Sequence, residues 1–445
     1  LTTINDRAFA NTTSLKSIRL PEGLKVIGQS CFESSAIESI TLPSSLNTIN
    51  DSSFENCTSL KSITIPNAIS YLGHKAFKNA SSLSSVNFED NALTNATYKA
   101  ILSETFADCI SLNTIDLPNC IENIEENAFA NCSSLTNITC LSQSLLIDNN
   151  AFINSKFEND SVGGLVIFNE VLVKYIGNDV NVTLTDGIKV ISEHAFSNSN
   201  VETISLPSSI TSIEEYAFAN CLNLKSVSIN ENASLKSIGS HAFDGNINLT
   251  SFEMPNNIES ISSYAFYRCV NLKNIDLNKD KLTFIDEYSF AACNSIESIT
   301  LSNNVTEIAQ YAFYKCNIKN IKLPTNLISV GDYAFAYNGK SDNNLVDPEN
   351  WIITPSIDSL TLNDSITYIG KYAFANNNLI SLDLPTHNKL TLKEYCFINS
   401  SASCCIFICL PISNTYITLL SSNDKVYKIK EIASEILIKY LVASL

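Results

Sequence analysis

Positive charge is scarce in this chain. Its 28 lysines and arginines stand against 45 aspartates and glutamates, for a formal net charge of −17. Only three of the basic residues are arginine: Arg7, Arg19 and Arg268. Nucleic-acid binding needs a basic stripe to displace counterions, and no such stripe is present. The same deficit argues against anionic membrane surfaces. Long apolar runs are missing too. No stretch reaches the roughly 18 residues of a membrane-crossing helix, and "CCIFICLPI" at 404–412 is short and carries Pro411. Histidine occurs four times, as His74, His194, His241 and His387, and there is no C-x-x-C pair. The segment "SIGSHAFDG" lacks the glycine–lysine pair of a phosphate-binding loop. Nothing converges like a catalytic triad or a carboxylate pair in a cleft. Neither an enzyme nor a bound cofactor is expected.

What the chain has in abundance is repetition. A phenylalanine recurs at Phe9, Phe32, Phe54, Phe77, Phe106, Phe129, Phe152, Phe196, Phe218, Phe243, Phe266, Phe290, Phe313, Phe335, Phe374 and Phe397. Twelve of the fifteen steps are 22–25 residues. Around each anchor the apolar positions hold their phase, as in Leu15, Ile18, Leu20, Pro21, Leu24, Ile27, Cys31 and Phe32. A unit this short cannot bury its apolar side alone, so the units must stack into a solenoid with one continuous core. The I-x-L segment alternates with period two and reads as a short strand. Proline follows that segment in eight of its eleven occurrences, where a residue without an N–H is tolerated at a strand end. The stretch ending in A-F has room for a short strand or helical turn.

The pattern L-x-x-I-x-L-P followed by I-x-x-x-A-F-x-x-C resembles the BspA-like leucine-rich repeats over about residues 1–403. The resemblance implies a curved solenoid with one short parallel strand per coil. It also implies a surface or secreted protein that adheres to extracellular or cell-surface proteins, or to glycans. An intracellular leucine-rich scaffold is the alternative, and free cysteines would suit it. The expected organisation is a repeat array over 1–162, a β-hairpin insertion at 163–182, and a second array over 183–403. A loop insertion at 338–356 interrupts the second array, and 404–445 reads as a non-repeat cap with helical spacing near its end. The hairpin, written "GGLVIFNEVLVKYIGNDVNVTL", is expected to project from the stack. The opening "LTTINDRAF" begins inside a repeat, which reads as a fragment or a processed product.

Seven cysteines sit three residues after an anchor: Cys57, Cys109, Cys132, Cys221, Cys269, Cys293 and Cys316. Thr, Ser, Ala or Asn fill the position elsewhere, so a small buried residue is the requirement, and a reduced thiol meets it. The cluster Cys404, Cys405 and Cys409 is the one place that leaves metal or disulfide chemistry open. Fourteen N-x-(S/T) sequons permit glycosylation but match chance at this asparagine content.

One feature changes along the chain. Two residues before the anchor, the first seven repeats carry Arg7, Ser30, Ser52, Lys75, Glu104, Asn127 and Asn150. The last nine carry His194, Tyr216, His241, Tyr264, Tyr288, Tyr311, Tyr333, Tyr372 and Tyr395. Rings stacking between coils would explain the switch by stability. A partly exposed tyrosine row is also binding material. The candidate ligand-binding residues are therefore Tyr216, Tyr264, Tyr288, Tyr311, Tyr333, Tyr372 and Tyr395. Trp351, the single tryptophan, joins them from the polar loop insertion.

Overall fold

The computed structural model describes residues 1–142, 145–319, 321–341, 353–387, 389–398, 418–420 and 426–428. It divides into two compact units, Leu1–Gly177 and Asn178–Leu445. Each is a stack of parallel coils, as expected of a leucine-rich-repeat solenoid.

Every coil is built on the alternation visible in its sequence. The I-x-L segment forms the longer strand, as in Ser17–Arg19, Ser39–Thr41 and Ser62–Ile65. In the last of these Ile63 and Ile65 are buried, while Ser62 and Thr64 face water, as period-two patterning dictates. A two-residue strand follows, as in Val26–Ile27, Thr48–Ile49 and Tyr71–Leu72. Equivalent strands pair in parallel, one repeat apart. Ser17 faces Ser39 and Val26 faces Thr48 in the first unit. Asn274 faces Ser298 in the second. The prolines sit where the chain leaves the longer strand. The amide three residues on closes a turn onto the proline carbonyl, as Leu46 does to Pro43 at 3.0 Å and Ile69 to Pro66 at 3.1 Å.

The anchor segment uses a different device. Around Phe266, the amides of Tyr264, Phe266 and Arg268 donate to Glu287, Ser289 and Ala291 at 2.9, 2.8 and 3.0 Å. Tyr264 and Arg268 have φ of 60° and 59°, the left-handed region that L-residues usually avoid. This alternation of backbone hand accompanies three amides that all bond to the next coil. Ser52 and Asn56 flank Phe54 in the same way, as Lys75 and Asn79 flank Phe77.

The anchors themselves stack. From Phe9 to Phe152 the ring centroids lie 5.2–5.7 Å apart, with planes within 18° of parallel. From Phe196 to Phe397 they lie 4.9–5.7 Å apart. The cysteine position is more specific than small size. Each of the seven thiols donates to the carbonyl of the preceding anchor at 3.0–3.2 Å. Asn338 and Asn377 do the same with their amides, to Phe313 at 3.0 Å and Phe335 at 2.9 Å. A side-chain donor thus bonds the preceding anchor in nine coils, and the seven cysteines are all free.

The insertions take three forms. The six extra residues near Asn91 tuck inward, burying Ala92 and Leu93. Leu165–Phe168 and Val171–Tyr175 form an antiparallel hairpin about Asn169–Glu170. This hairpin does not project. Phe168 packs 6.0 Å from Phe152 and 6.1 Å from Phe157, which is itself 5.0 Å from Phe152. Lys174 on the hairpin approaches buried Glu158 at 3.7 Å, and Glu158 also accepts the Asn154 amide at 2.6 Å. The physical reason is composition. Val166, Phe168, Val171, Leu172 and Val173 are all buried, and a projecting hairpin would leave such residues in water. In the loop insertion, Gly339–Ser341 pairs antiparallel with Ile353–Pro355. Trp351 lies outside the described residues, as do Cys404, Cys405, Cys409 and the helical pattern expected near the end of the chain. Within 404–445 the described pieces, Thr418–Leu420 and Val426–Lys428, pair antiparallel.

Candidate functional site: a row of stacked aromatic rings

All seven candidate tyrosines lie in the second unit, and the fold brings them into one continuous row. The row starts at His194, which stacks on Tyr216 at 4.9 Å with planes 3° apart. Tyr216 stacks on His241 at 4.6 Å, and His241 on Tyr264 at 4.6 Å. Tyr264, Tyr288 and Tyr311 follow at 4.5 Å steps. Tyr333, Tyr372 and Tyr395 continue at 4.7, 4.8 and 5.1 Å. The left-handed backbone is common to this row. Tyr216, Tyr264, Tyr288, Tyr311, Tyr333, Tyr372 and Tyr395 have φ between 53° and 61°. With the same backbone in each coil, every ring emerges in the same direction and meets its neighbours face to face.

This geometry decides what the row offers. Inside the stack both faces of each ring are occupied by the rings before and after it. What remains is the ring edge and the phenol hydroxyl. Tyr395, at the end of the row, is 43% exposed, and the other six are half-buried. Five of the seven phenols hold their protons more tightly than a free tyrosine. Burial, then the carboxylates of Glu287 and Asp244, raises Tyr264 above the usual tyrosine value. Burial raises Tyr288 further, with the neighbouring Tyr311 and Tyr264 adding to it. Tyr216, Tyr311 and Tyr333 shift in the same direction, again mainly through burial.

A second layer escaped the sequence reading. Tyr267 stands edge-on to Tyr264 at 5.4 Å and to Tyr288 at 6.3 Å. Tyr314 does the same to Tyr311 at 5.2 Å and Tyr333 at 6.4 Å, and Tyr337 sits 5.7 Å from Tyr314. Arg268 lies 5.4 Å from the centre of Tyr267, and Lys315 lies 5.4 Å from Tyr314, within cation–π range. The signal was legible: Y-A-F-Y-(R/K)-C occurs at 264–269 and again at 311–316. Seven tyrosines and two cations thus gather on the coils of Phe266 to Phe335. On the N-terminal side of these coils, His241 pairs through Nδ1 with Asp244 at 2.8 Å, and Asp244 reaches Arg268 at 3.5 Å.

The repeat signature is matched by a family model. BspA type leucine rich repeat region (6 copies) fits residues 1–98, 93–170, 173–234, 228–341 and 353–434. The chain belongs to the BspA-type leucine-rich-repeat family. Solved structures of the same general kind include a leucine-rich repeat protein from Bacteroides ovatus, 21% identical over 88% of this chain and 87% of that one, with a TM-score of 0.32. A leucine rich cell surface protein from Faecalibacterium prausnitzii is 23% identical over 68% of this chain and 83% of that one, at 0.33. The pneumococcal vaccine antigen PcpA is 20% identical over 87% and 79%, also at 0.33. No curated protein matches the chain. Among the described residues of this BspA-type solenoid, no group of three or more His, Cys, Asp or Glu is placed to hold a metal. No described helix is long and apolar enough to cross a membrane.

Proposed function

We propose that the protein is a non-enzymatic adhesion solenoid, displayed at a cell surface or secreted, that binds other proteins along the tyrosine row. The observation that carries this reading is the double aromatic layer between Tyr264 and Tyr337. Tyrosine and arginine are the residues that dominate protein–protein hot spots, and Arg268 is one of only three arginines in the chain. Ring edges and phenol hydroxyls suit hydrogen bonding and edge contact with a protein surface. They do not suit glycans, whose stacking needs open ring faces. Stability alone does not account for the row, because the first unit stacks its coils with Ser30, Ser52 and Lys75 at the same position. A scaffold inside the cell is the second reading, favoured by eleven free cysteines among the described residues. Immunogold labelling of intact cells separates the two.

The site is tested by replacing Tyr264, Tyr288 and Tyr311 together with serine, the residue native at Ser30 and Ser52 with φ of 52° and 55°. Binding of the purified protein to immobilised extracellular-matrix proteins and to cultured cells should fall at least about tenfold. Circular dichroism should still report a folded solenoid. Full binding beside a lowered unfolding midpoint would make the row a stabilising ladder and nothing more.

A further inference from the structure

We infer that the second unit contains a built site for a single bridging water, between the coils of Phe218 and Phe243. The anchor carbonyls of this unit form a series, each taking a side-chain donor from the coil after it. Phe196 takes Cys221, Phe243 takes Cys269, Phe266 takes Cys293 and Phe290 takes Cys316. Phe313 and Phe335 take Asn338 and Asn377. The series is broken at Phe218.

The residue at the donor position there is Asn246, which is completely buried. Neither its Oδ1 nor its Nδ2 has a partner among the described residues. The side chain is capable of the bond, since Asn338 donates to two anchor carbonyls at once, at 3.0 and 2.9 Å. The coils are also in register, with Phe218 donating to Ala242 at 2.8 Å and Asn220 to Asp244 at 2.7 Å. What differs is the neighbour. Asn246 follows Gly245, whose φ is +74° and where a Cβ would lie 2.4 Å from Asn220 Oδ1. The amide of the preceding coil fills the space that a side chain takes elsewhere. On the same corner, the buried Nε of Arg268 also lacks a partner among the described residues. Its Nη2 lies 3.3 Å from that same Cβ position.

Buried amides are rarely left unpaired. An internal water typically takes two to four polar partners, and roughly one occurs per 27 residues. The corner presents an acceptor and a donor on Asn246 together with the second lone pair of the Phe218 carbonyl. The Asn246 amide and the Phe218 carbonyl carry no charge to hold an ion, and the Arg268 guanidinium beside them is paired with Asp244. Water supplies both a donor and an acceptor, and it replaces the missing rung.

A crystal structure of the whole chain at high resolution should show one water within hydrogen-bond distance of the Asn246 amide and the Phe218 carbonyl. Asn246→Cys installs the donor that seven other coils use. It should expel the water and raise the thermal midpoint by about 2–4 °C. Asn246 Nδ2 bonded directly to Phe218, with no water present, would overturn the inference on the wild-type protein alone. A midpoint unchanged or lowered by Asn246→Cys would also overturn it.

Discussion

A tyrosine with positive φ is the residue-scale puzzle of this fold. The left-handed conformation costs a non-glycine residue about 1–2 kcal/mol, and asparagine tolerates it best. Asn56, Asn79, Asn131 and Asn220 accordingly fill the other left-handed position, two residues after the anchor. Stacking offsets the cost. An aromatic pair contributes about 0.5–1.5 kcal/mol beyond its buried area, and Tyr288 makes two such pairs at 4.5 Å. The two effects nearly cancel at the tyrosines, whereas Ser30, Ser52 and Lys75 of the first unit hold the same backbone with no ring stack at that position. Tyr288→Asn removes two stacks while relieving the backbone, so its cost should stay below about 2 kcal/mol. Phe266→Ala empties a fully buried site and should cost about 3–5 kcal/mol. Urea denaturation of the two variants compares them directly. Equal losses would make the tyrosine row core rather than edge.

At the scale of elements, the hairpin at 165–175 was readable as a hairpin but not as a lid. Its alternating apolar residues and the Asn-Glu turn predict two paired strands. Where those strands point depends on Phe152, whose outer face needs cover and receives Phe157 and Phe168. No local pattern carries that information. The same contrast runs through the coil. Proline marked the strand exit, and alternation marked the buried isoleucines. The left-handed pair that flanks most anchors was hidden, because Arg7, Glu104 and Tyr288 share no propensity that announces it. The donor role of the cysteines was obscured by Ala80, which occupies the same position without a donor. The tyrosine row was legible as a row of rings stacking between coils; the edge-on second layer beside it and the left-handed backbone that aligns the rings were not. Phe168→Ala should therefore act on the end of the first unit. Hydrogen exchange should quicken in the coils of Phe129 and Phe152, and the coil of Phe32 should keep its protection, since solenoid contacts reach mainly to neighbours. Uniform loss of protection from Phe32 to Phe152 would mean that the hairpin holds the unit together as a whole.

For the whole molecule, repetition turns a small effect at one position into a large one. Burial raises Cys132 and Cys316 to about 12 and Cys57 to about 11. It holds Cys109 and Cys293 well above the ordinary thiol value of 9.0. In the unfolded chain these thiols ionise near 9, whereas in the folded chain they keep their protons. The folded state therefore binds more protons above pH 9. Stability is fully present below that pH and is lost as the pH rises toward 12. Each such thiol forfeits about 1.4 kcal/mol per pH unit across this window, and the ladder repeats the loss coil after coil. The thermal midpoint should hold steady to about pH 8.5 and then fall steeply by pH 10.5. Alkylation of the ladder thiols should track unfolding, because an apolar surrounding suppresses the reactive thiolate. Replacing Cys269, Cys293 and Cys316 with serine keeps a donor to each anchor carbonyl and removes three ionisable groups. That variant should lose less stability between pH 9 and 10.5 than the wild type. An equally steep fall would transfer the effect to half-buried phenols such as Tyr71, which burial and Asp51 raise to about 12.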